Sequence, residues 1–254
     1  MKKTPLKVMV VDDSAFMRKF LGEIIQQDSA LELAGTARHG WDALAKLKSI
    51  KPDVLTLDVE MPGLNGLDTL KKIMAENPLP VVMVSSYTRK GSKMTIEALA
   101  AGAVDFIPKL SPGKRGYADE EIKKLLPIKI KEAAKARLQA ASFSNPPQVA
   151  EAAGSSFVAE NKQYFGGRFS ANRTVNRIIA IGTSTGGPRA LEEVLRGLPA
   201  DLPAAVFITQ HMPPHFTRSL AERLDKVSFV KVKEASAGES IRDGEAYIAP
   251  GGYH

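Results

Sequence analysis

The sequence predicts an α/β fold: a doubly wound parallel sheet with helices on both faces, followed by a second, smaller parallel-sheet unit. Three observations carry that reading. Apolar runs at Val8 to Val11, Val54 to Leu57, Val81 to Val84 and Phe106 to Ile107 have the length and composition of buried strands. Helix-like stretches such as Ala15 to Gln27 and Leu67 to Glu76 separate them, and strands alternating with helices at this spacing make parallel sheets. A second strand, turn and helix begins at Ile178, beyond a segment of different composition.

Asp12, Asp13, Asp58, Ser85 and Lys109 each fall at or just past the end of one of the first four runs. In such sheets ligands bind in the crevice beyond the carboxyl ends of the strands, so these five side chains are expected around one pocket. Three carboxylates converging there repel one another unless a hard divalent cation with oxygen ligands lies between them. The pocket therefore reads as a magnesium and phosphate site.

The residues then carry a resemblance. Positions 7 to 126 contain V-M-V-V-D-D-S, L-T-L-D-V-E-M-P-G-L-N-G, V-V-M-V-S-S and A-G-A-V-D-F-I-P-K in that order, and resemble the flavodoxin-like receiver domain of two-component response regulators. The resemblance implies that Asp58 accepts a phosphoryl group from a histidine kinase as an acyl phosphate. It implies that Asp12 and Asp13 hold Mg2+ together with Asp58 and the backbone carbonyl of Glu60. Lys109 would pair with the new phosphate, and Ser85 would move to donate a hydrogen bond to it. Phe106 stands where many receivers keep an aromatic switch residue; lacking a hydroxyl, it reports activation by packing alone. Leu110 follows Lys109 where the family commonly has proline, so a trans Lys109 to Leu110 bond is expected, cis before leucine costing about 3 kcal/mol.

The chain's 254 residues suffice for two domains, and 44% apolar with 25% charged residues is ordinary for a soluble protein. It has no cysteine, which excludes disulfides and thiolate chemistry. No uncharged apolar stretch is long enough for a secretion signal or a membrane span, so a soluble cytoplasmic protein without membrane insertion is expected. The formal charge of +7 is spread over both halves without an Arg-rich helix or a basic run interleaved with aromatics, and no nucleic acid partner is expected.

The receiver is placed at residues 1–126, its last helix running from Asp119 toward Gln139 with Pro127 interrupting or kinking it. Residues 141–172, rich in Ser, Asn, Ala, Gly, Gln and Pro, read as an interdomain linker. If flexible, that segment has a root-mean-square span of about 30 Å, enough for the receiver to dock on its neighbour or leave it.

The second unit, residues 173–254, opens with the strand Ile178 to Ile181, the turn Gly182-Thr183-Ser184-Thr185-Gly186-Gly187-Pro188, and a helical stretch from Arg189 to Arg196. The turn fits Gly-x-Ser-x-Gly, in which glycines permit a tight turn that lifts the serine hydroxyl and aims backbone amides, here that of Thr185, at a developing oxyanion. A glycine-rich turn before a helix equally suits phosphate, although no Gly-Lys-Ser/Thr follows to make a P-loop. A serine nucleophile needs a base. Of His39, His211, His215 and His254, His211 ends the next strand, Ala204 to Gln210, and is expected beside Ser184. Pro213 and Pro214 disfavour a helical zinc pair of His211 and His215.

R-I-I-A-I-G-T-S-T-G-G-P, V-F-I-T-Q-H-M-P-P-H-F-T and E-A-Y-I-A-P-G-G-Y-H resemble the catalytic domain of chemotaxis protein-glutamate methylesterases, which also carry an N-terminal receiver. The resemblance implies hydrolysis of γ-glutamyl methyl esters, and deamidation of glutamines, on methyl-accepting chemoreceptors, with a chemotaxis histidine kinase as phosphodonor. Ser184 is then the nucleophile and His211 its base, with no cofactor at the esterase site. His215 receives no catalytic role, and His254 lines the pocket. The family's triad acid lies beyond the motif at His254, and none of Asp201, Asp225 or Asp243 stands in a matching motif. The expectation is an incomplete hydrolase domain, the N-terminal part of the methylesterase domain, in a chain that is phosphorylatable and nearly inactive as an esterase. The competing class is a receiver with a binding output, a phosphate sink or partner-docking protein; no helix-turn-helix signature supports a DNA-binding output.

Overall fold

A computed structural model of the chain describes residues 4–86, 88–109, 117–136, 175 and 177–253. The first unit alternates β1 (Leu6–Val11), α1 (Ala15–Gln27), β2 (Leu31–Ala37), α2 (Gly40–Ile50), β3 (Val54–Asp58), α3 (Gly66–Glu76), β4 (Val81–Ser85), α4 (Arg89–Ala100), β5 (Asp105–Pro108) and α5 (Tyr117–Ala133). Its strands are all parallel in the order β2-β1-β3-β4-β5. The chain's progress across the sheet reverses between β1 and β3, so the crevice lies at the ends of those two strands, where Asp12 and Asp58 stand.

Strand alternation divides the core. Met9, Val11, Leu55, Leu57, Val81, Met83 and Phe106 point to one face, against α3 and α4. Val8, Val10, Val54, Val82, Val84 and Ile107 point to the other, against α1 and α5. Both faces are covered, which is why these strands read as continuous apolar runs rather than alternating ones. Helix starts follow from side-chain caps: Ser14 accepts from the Met17 amide at 3.4 Å and Asn65 from the Asp68 amide at 2.9 Å.

The last helix of this unit departs from expectation. It spans Tyr117–Ala133, begins before Asp119, and gives way to a turn at Ala134 and Lys135. Pro127 lies inside it without ending it. Ile122, Leu126, Ile130 and Ala133 are fully buried at helical spacing on either side of the proline, and that stripe holds both halves against the sheet despite the missing amide. The expected linker at 141–172 and the Lys109 to Leu110 bond lie outside the described residues.

The second unit comprises β6 (Ile178–Thr183), α6 (Gly187–Arg196), β7 (Ala205–Gln210), α7 (Phe216–Val227), β8 (Lys231–Glu234) and β9 (Glu245–Ile248), with parallel strands in the order β6-β7-β9-β8. β9 is buried throughout and β7 at four of its six residues, whereas β6 is an edge strand whose Ile178 is 64% exposed. One contiguous apolar cluster runs from Met9 and Leu57 in the first unit through Phe106 and Phe216 to Ile208 and Ile248, so the two units share a core.

Core and edge should respond differently to truncation. Leu57→Ala, at a fully buried position, is expected to destabilise the chain by about 2–5 kcal/mol in urea unfolding. Ile178→Ala on the exposed edge should change stability by no more than about 0.5 kcal/mol.

Candidate functional sites

Two sites can be built from these elements. The first lies at the ends of β1 and β3. Asp12, Asp13 and Asp58 each offer a carboxylate oxygen, and these atoms lie within 4.8 Å of one another. Lys109, just beyond β5, places its Nζ 2.6 Å from Asp58 Oδ2 and 3.0 Å from Asp12 Oδ2. Asp58 Oδ1 accepts from the Glu60 amide at 3.1 Å, and Asp12 Oδ1 from the Ser14 amide at 2.9 Å. Asp12 Oδ2 is buried and accepts no well-aligned hydrogen bond, the lysine contact being close but poorly directed.

Burial pushes the Asp58 carboxyl up to about 6, the neighbouring Asp12 charge adding to the rise and Lys109 opposing it. Burial on its own would lower the Lys109 ammonium, but Asp58 and Asp12 outweigh it and hold the group above the ordinary lysine value. A lysine and three acids leave this pocket short of positive charge. An all-oxygen donor set with an unsatisfied buried oxygen suits a hard divalent cation.

Ser85 is fully buried, and its hydroxyl accepts from Thr95 of α4 at 2.7 Å; no hydrogen bond joins it to Asp58. It is tied to the site through its backbone, whose carbonyl accepts from the Lys109 amide at 2.6 Å. The hydroxyl's own hydrogen is directed at the Ser86 carbonyl at 3.4 Å, so its expected contact with phosphate requires it to turn from that carbonyl. Two residues that sequence reasoning missed support the pocket. Arg18 Nη1 donates to the carbonyls of Asp12 at 2.8 Å and Asp13 at 2.9 Å, fixing the acidic turn, and Thr95 fixes Ser85. An arginine one turn into the helix after the acid pair was the signal for the first.

The second site is the turn after β6. Parallel pairing aligns Thr183 with Gln210, and the His211 amide donates to the Thr183 carbonyl at 3.0 Å, so the serine turn and His211 share one sheet end. Ser184 and His211 are both exposed, and among the described residues no hydrogen bond joins the serine hydroxyl to the imidazole. The expected contact is thus a shared edge without a formed bond, as is common in catalytic pairs without substrate. No carboxylate among the described residues bonds His211. Asp225 instead accepts from the Val232 amide at 2.8 Å. His215 adopts φ 72° just before α7, and the histidine pair is not helical. His39 caps α2 by accepting from the Asp42 amide, and His254 lies outside the described residues.

Gln210 was also missed. It is 6% exposed; its amide nitrogen donates to the Ser184 carbonyl at 2.9 Å and its oxygen accepts from Thr183 at 2.7 Å, bracketing the turn from the neighbouring strand. Gly186 takes φ +76°, and a Cβ on Gly187 would lie 2.0 Å from Gln210 Oε1, so the paired glycines serve both the backbone and this bracket.

The first unit lies against this turn. Thr185 Oγ1 is 2.7 Å from Asp105 Oδ2 and 2.7 Å from Glu132 Oε2. Phe106 stacks on Phe216 at 4.5 Å between centroids, Ser92 of α4 meets Ser219 of α7 at 3.0 Å between hydroxyl oxygens, and Lys93 approaches Glu222. Phe106 is thereby committed to packing between the units.

Residues 179–254 match the CheB methylesterase family and residues 8–116 the response regulator receiver domain. A protein-glutamate methylesterase/protein-glutamine glutaminase of Symbiobacterium thermophilum is 47% identical over 254 residues, covering 98% of this chain and 68% of the relative. One from Halalkalibacterium halodurans is 49% identical over 249 residues, covering 98% of this chain and 67% of the relative. The chain belongs to the protein-glutamate methylesterase/protein-glutamine glutaminase family. Among solved structures, the response regulator domain of Thermotoga maritima CheB is 45% identical with a TM-score of 0.47, covering 52% of this chain and 98% of that one. In this methylesterase-family chain the acid pocket is part of the receiver and the serine turn part of the methylesterase-type unit.

Two outcomes follow from the sites. A cation in this pocket would need Asp58 ionised, so magnesium affinity measured by calorimetric titration should be level above about pH 7. It should fall about tenfold per pH unit below a midpoint near 6, where an ordinary carboxylate would hold its affinity down to about pH 4. Gly187→Ala should cost about 1–3 kcal/mol in urea unfolding by displacing Gln210. Gly182→Ala, with open space around a Cβ, is expected to cost no more than about 0.5 kcal/mol.

Proposed function

We propose that this chain is a phosphorylation-controlled hydrolase of γ-glutamyl methyl esters, and a deamidase of glutamines, on methyl-accepting chemoreceptors, acting in chemotactic adaptation. The observation that carries the reading is the placing of the Ser184 turn and His211 on one sheet end directly against the α4 and β5 face of a receiver, in a chain of the methylesterase family. The receiver spans residues 1–133, extending the sequence boundary to the end of α5, and the catalytic unit starts near residue 173. The protein works in the cytoplasm, on receptor segments exposed there. No helix among the described residues is long and apolar enough to cross a membrane.

In the receiver, ionised Asp58 attacks the phosphorus of a phosphohistidine on the chemotaxis kinase, and the imidazole nitrogen leaves. Asp12, Asp13, Asp58 and the Glu60 carbonyl would hold Mg2+, which would supply positive charge to offset that of the phosphoryl oxygens. Lys109 exchanges part of its contact with Asp58 for the new phosphate. Ser85 turns its hydrogen from the Ser86 carbonyl toward a phosphate oxygen, and that movement strains the bond it accepts from Thr95 of α4, the helix that carries Ser92 into the interface.

In the catalytic unit, Ser184 Oγ attacks the ester carbonyl, His211 takes its proton and returns it to the departing methanol, and water then releases the glutamate by the reverse proton path. The Thr185 amide stabilises the oxyanion. Docked, the receiver holds this turn at Thr185 while Ser184 stays exposed; phosphorylation at Asp58 weakens the docking.

The experiment is methanol release from methylated chemoreceptor membranes, with and without magnesium and a small phosphodonor. Release that rises with the phosphodonor and is lost in Ser184→Ala is expected. Normal Asp58 phosphorylation with no release would overturn the esterase reading in favour of a phosphate sink.

A further inference from the structure

Resting on the reading of Ser184 as nucleophile and the receiver as its cap, we infer that the receiver restrains the enzyme by gripping Thr185, the residue whose amide faces the oxyanion, and that this grip is one hydrogen short. Ser184 itself stays exposed beside the receiver, yet two receiver carboxylates from different elements converge on one hydroxyl of the catalytic turn. Asp105 from β5 and Glu132 from α5 are each 2.7 Å from Thr185 Oγ1.

A threonine hydroxyl has a single hydrogen, and ionised carboxylates donate none. One oxygen pair is therefore bonded while the other is held in contact without a proton between its oxygens. Asp105 is 7% exposed, and its Oδ2 also receives Lys129 Nζ at 2.8 Å, so its charge is compensated. Glu132 is exposed and has only the hydroxyl as a partner in this cluster. The uncompensated contact falls on Glu132.

Two consequences follow. The grip adds to the hold on the turn: the receiver takes Thr185 through its side chain, beside the Ser184 carbonyl that Gln210 already holds from β7 within the catalytic unit. The frustrated oxygen pair also keeps docking weak enough to be undone from the phosphorylation pocket. β5 is the physical link, since it carries Asp105 and Phe106 at the interface and leads directly into Lys109 on Asp58. Asp105 and Glu132 are thus positioning residues for a catalytic turn in another unit.

The chain contains no cysteine, so a single Ser92→Cys substitution gives a reporter of undocking: Ser92 is 1% exposed and faces Ser219 across the interface. Its rate of modification by a thiol reagent measures opening. In the Ser92→Cys background, Glu132→Gln supplies the missing donor through its side-chain amide and should slow modification about fivefold, the effect of one net hydrogen bond. Thr185→Val should speed it about fivefold, and Thr185→Ser, which keeps the hydroxyl, should stay within about twofold of the parent.

If Glu132→Gln and Thr185→Val both remain within about twofold of the parent while a phosphodonor still accelerates modification, the grip is overturned and the cap stands. If the introduced thiol is modified rapidly in the Ser92→Cys parent and a phosphodonor makes no difference, the cap fails and the grip with it. Glu132→Gln is a solvent-exposed change that leaves folding intact, so its arm is decisive even if Thr185→Val perturbs the turn.

Discussion

The arrangement depends on Lys109 being held between Asp58 and Asp12 in a pocket dry enough to raise the Asp58 carboxyl to about 6. A buried ion pair of this kind is costly to desolvate and is weak evidence of stability. Its use lies in being exchangeable. A phosphoryl group on Asp58 presents the lysine with a stronger and displaced partner, and Lys109 is tethered by its amide to Ser85 and by chain continuity to β5. Any movement at the pocket is therefore felt by two neighbouring strands.

Those strands lead to the interface. Ser85 is tied through Thr95 to α4, and β5 carries Asp105 and Phe106. Opposite them stand α7 and the turn after β6, both rigidly based: α7 through Phe216, Leu220 and Leu224 in the shared core, and the turn through Gln210. Ring stacking and the shared core supply apolar burial, while the Ser92–Ser219 pair and the Thr185 cluster supply polar contacts that a small shift breaks. An interface held by both kinds of contact is one whose balance a single charge change can alter.

Much of this was legible in the sequence because buried parallel strands announce themselves as apolar runs. The ends of β1, β3 and β4 place Asp12, Asp58 and Ser85, and Asp13 and Lys109 follow β1 and β5, from spacing alone. Gly-x-Ser-x-Gly and the strand ending before His211 likewise located the second site. What stayed hidden depends on partners distant in sequence. Ser85 facing Thr95 rather than Asp58 is a rotamer choice in a packed core. Gln210 is indistinguishable from any strand-end polar residue until β7 pairs with β6. Pro127 suggested a break, yet a stripe of buried residues on both sides carried the helix through. The convergence of Asp105 and Glu132 on Thr185 joins positions 80 and 53 residues apart and has no local signature.

The central claim is that the state of Asp58 sets how firmly the receiver holds the serine turn. Amide hydrogen exchange across β5, α7 and the 183–187 turn, compared with and without magnesium and a small phosphodonor and with Asp58→Asn as control, tests it most directly. Faster exchange in these segments on phosphorylation, absent in the control, is the predicted result. Unchanged exchange there, with Asp58 demonstrably phosphorylated, would contradict it.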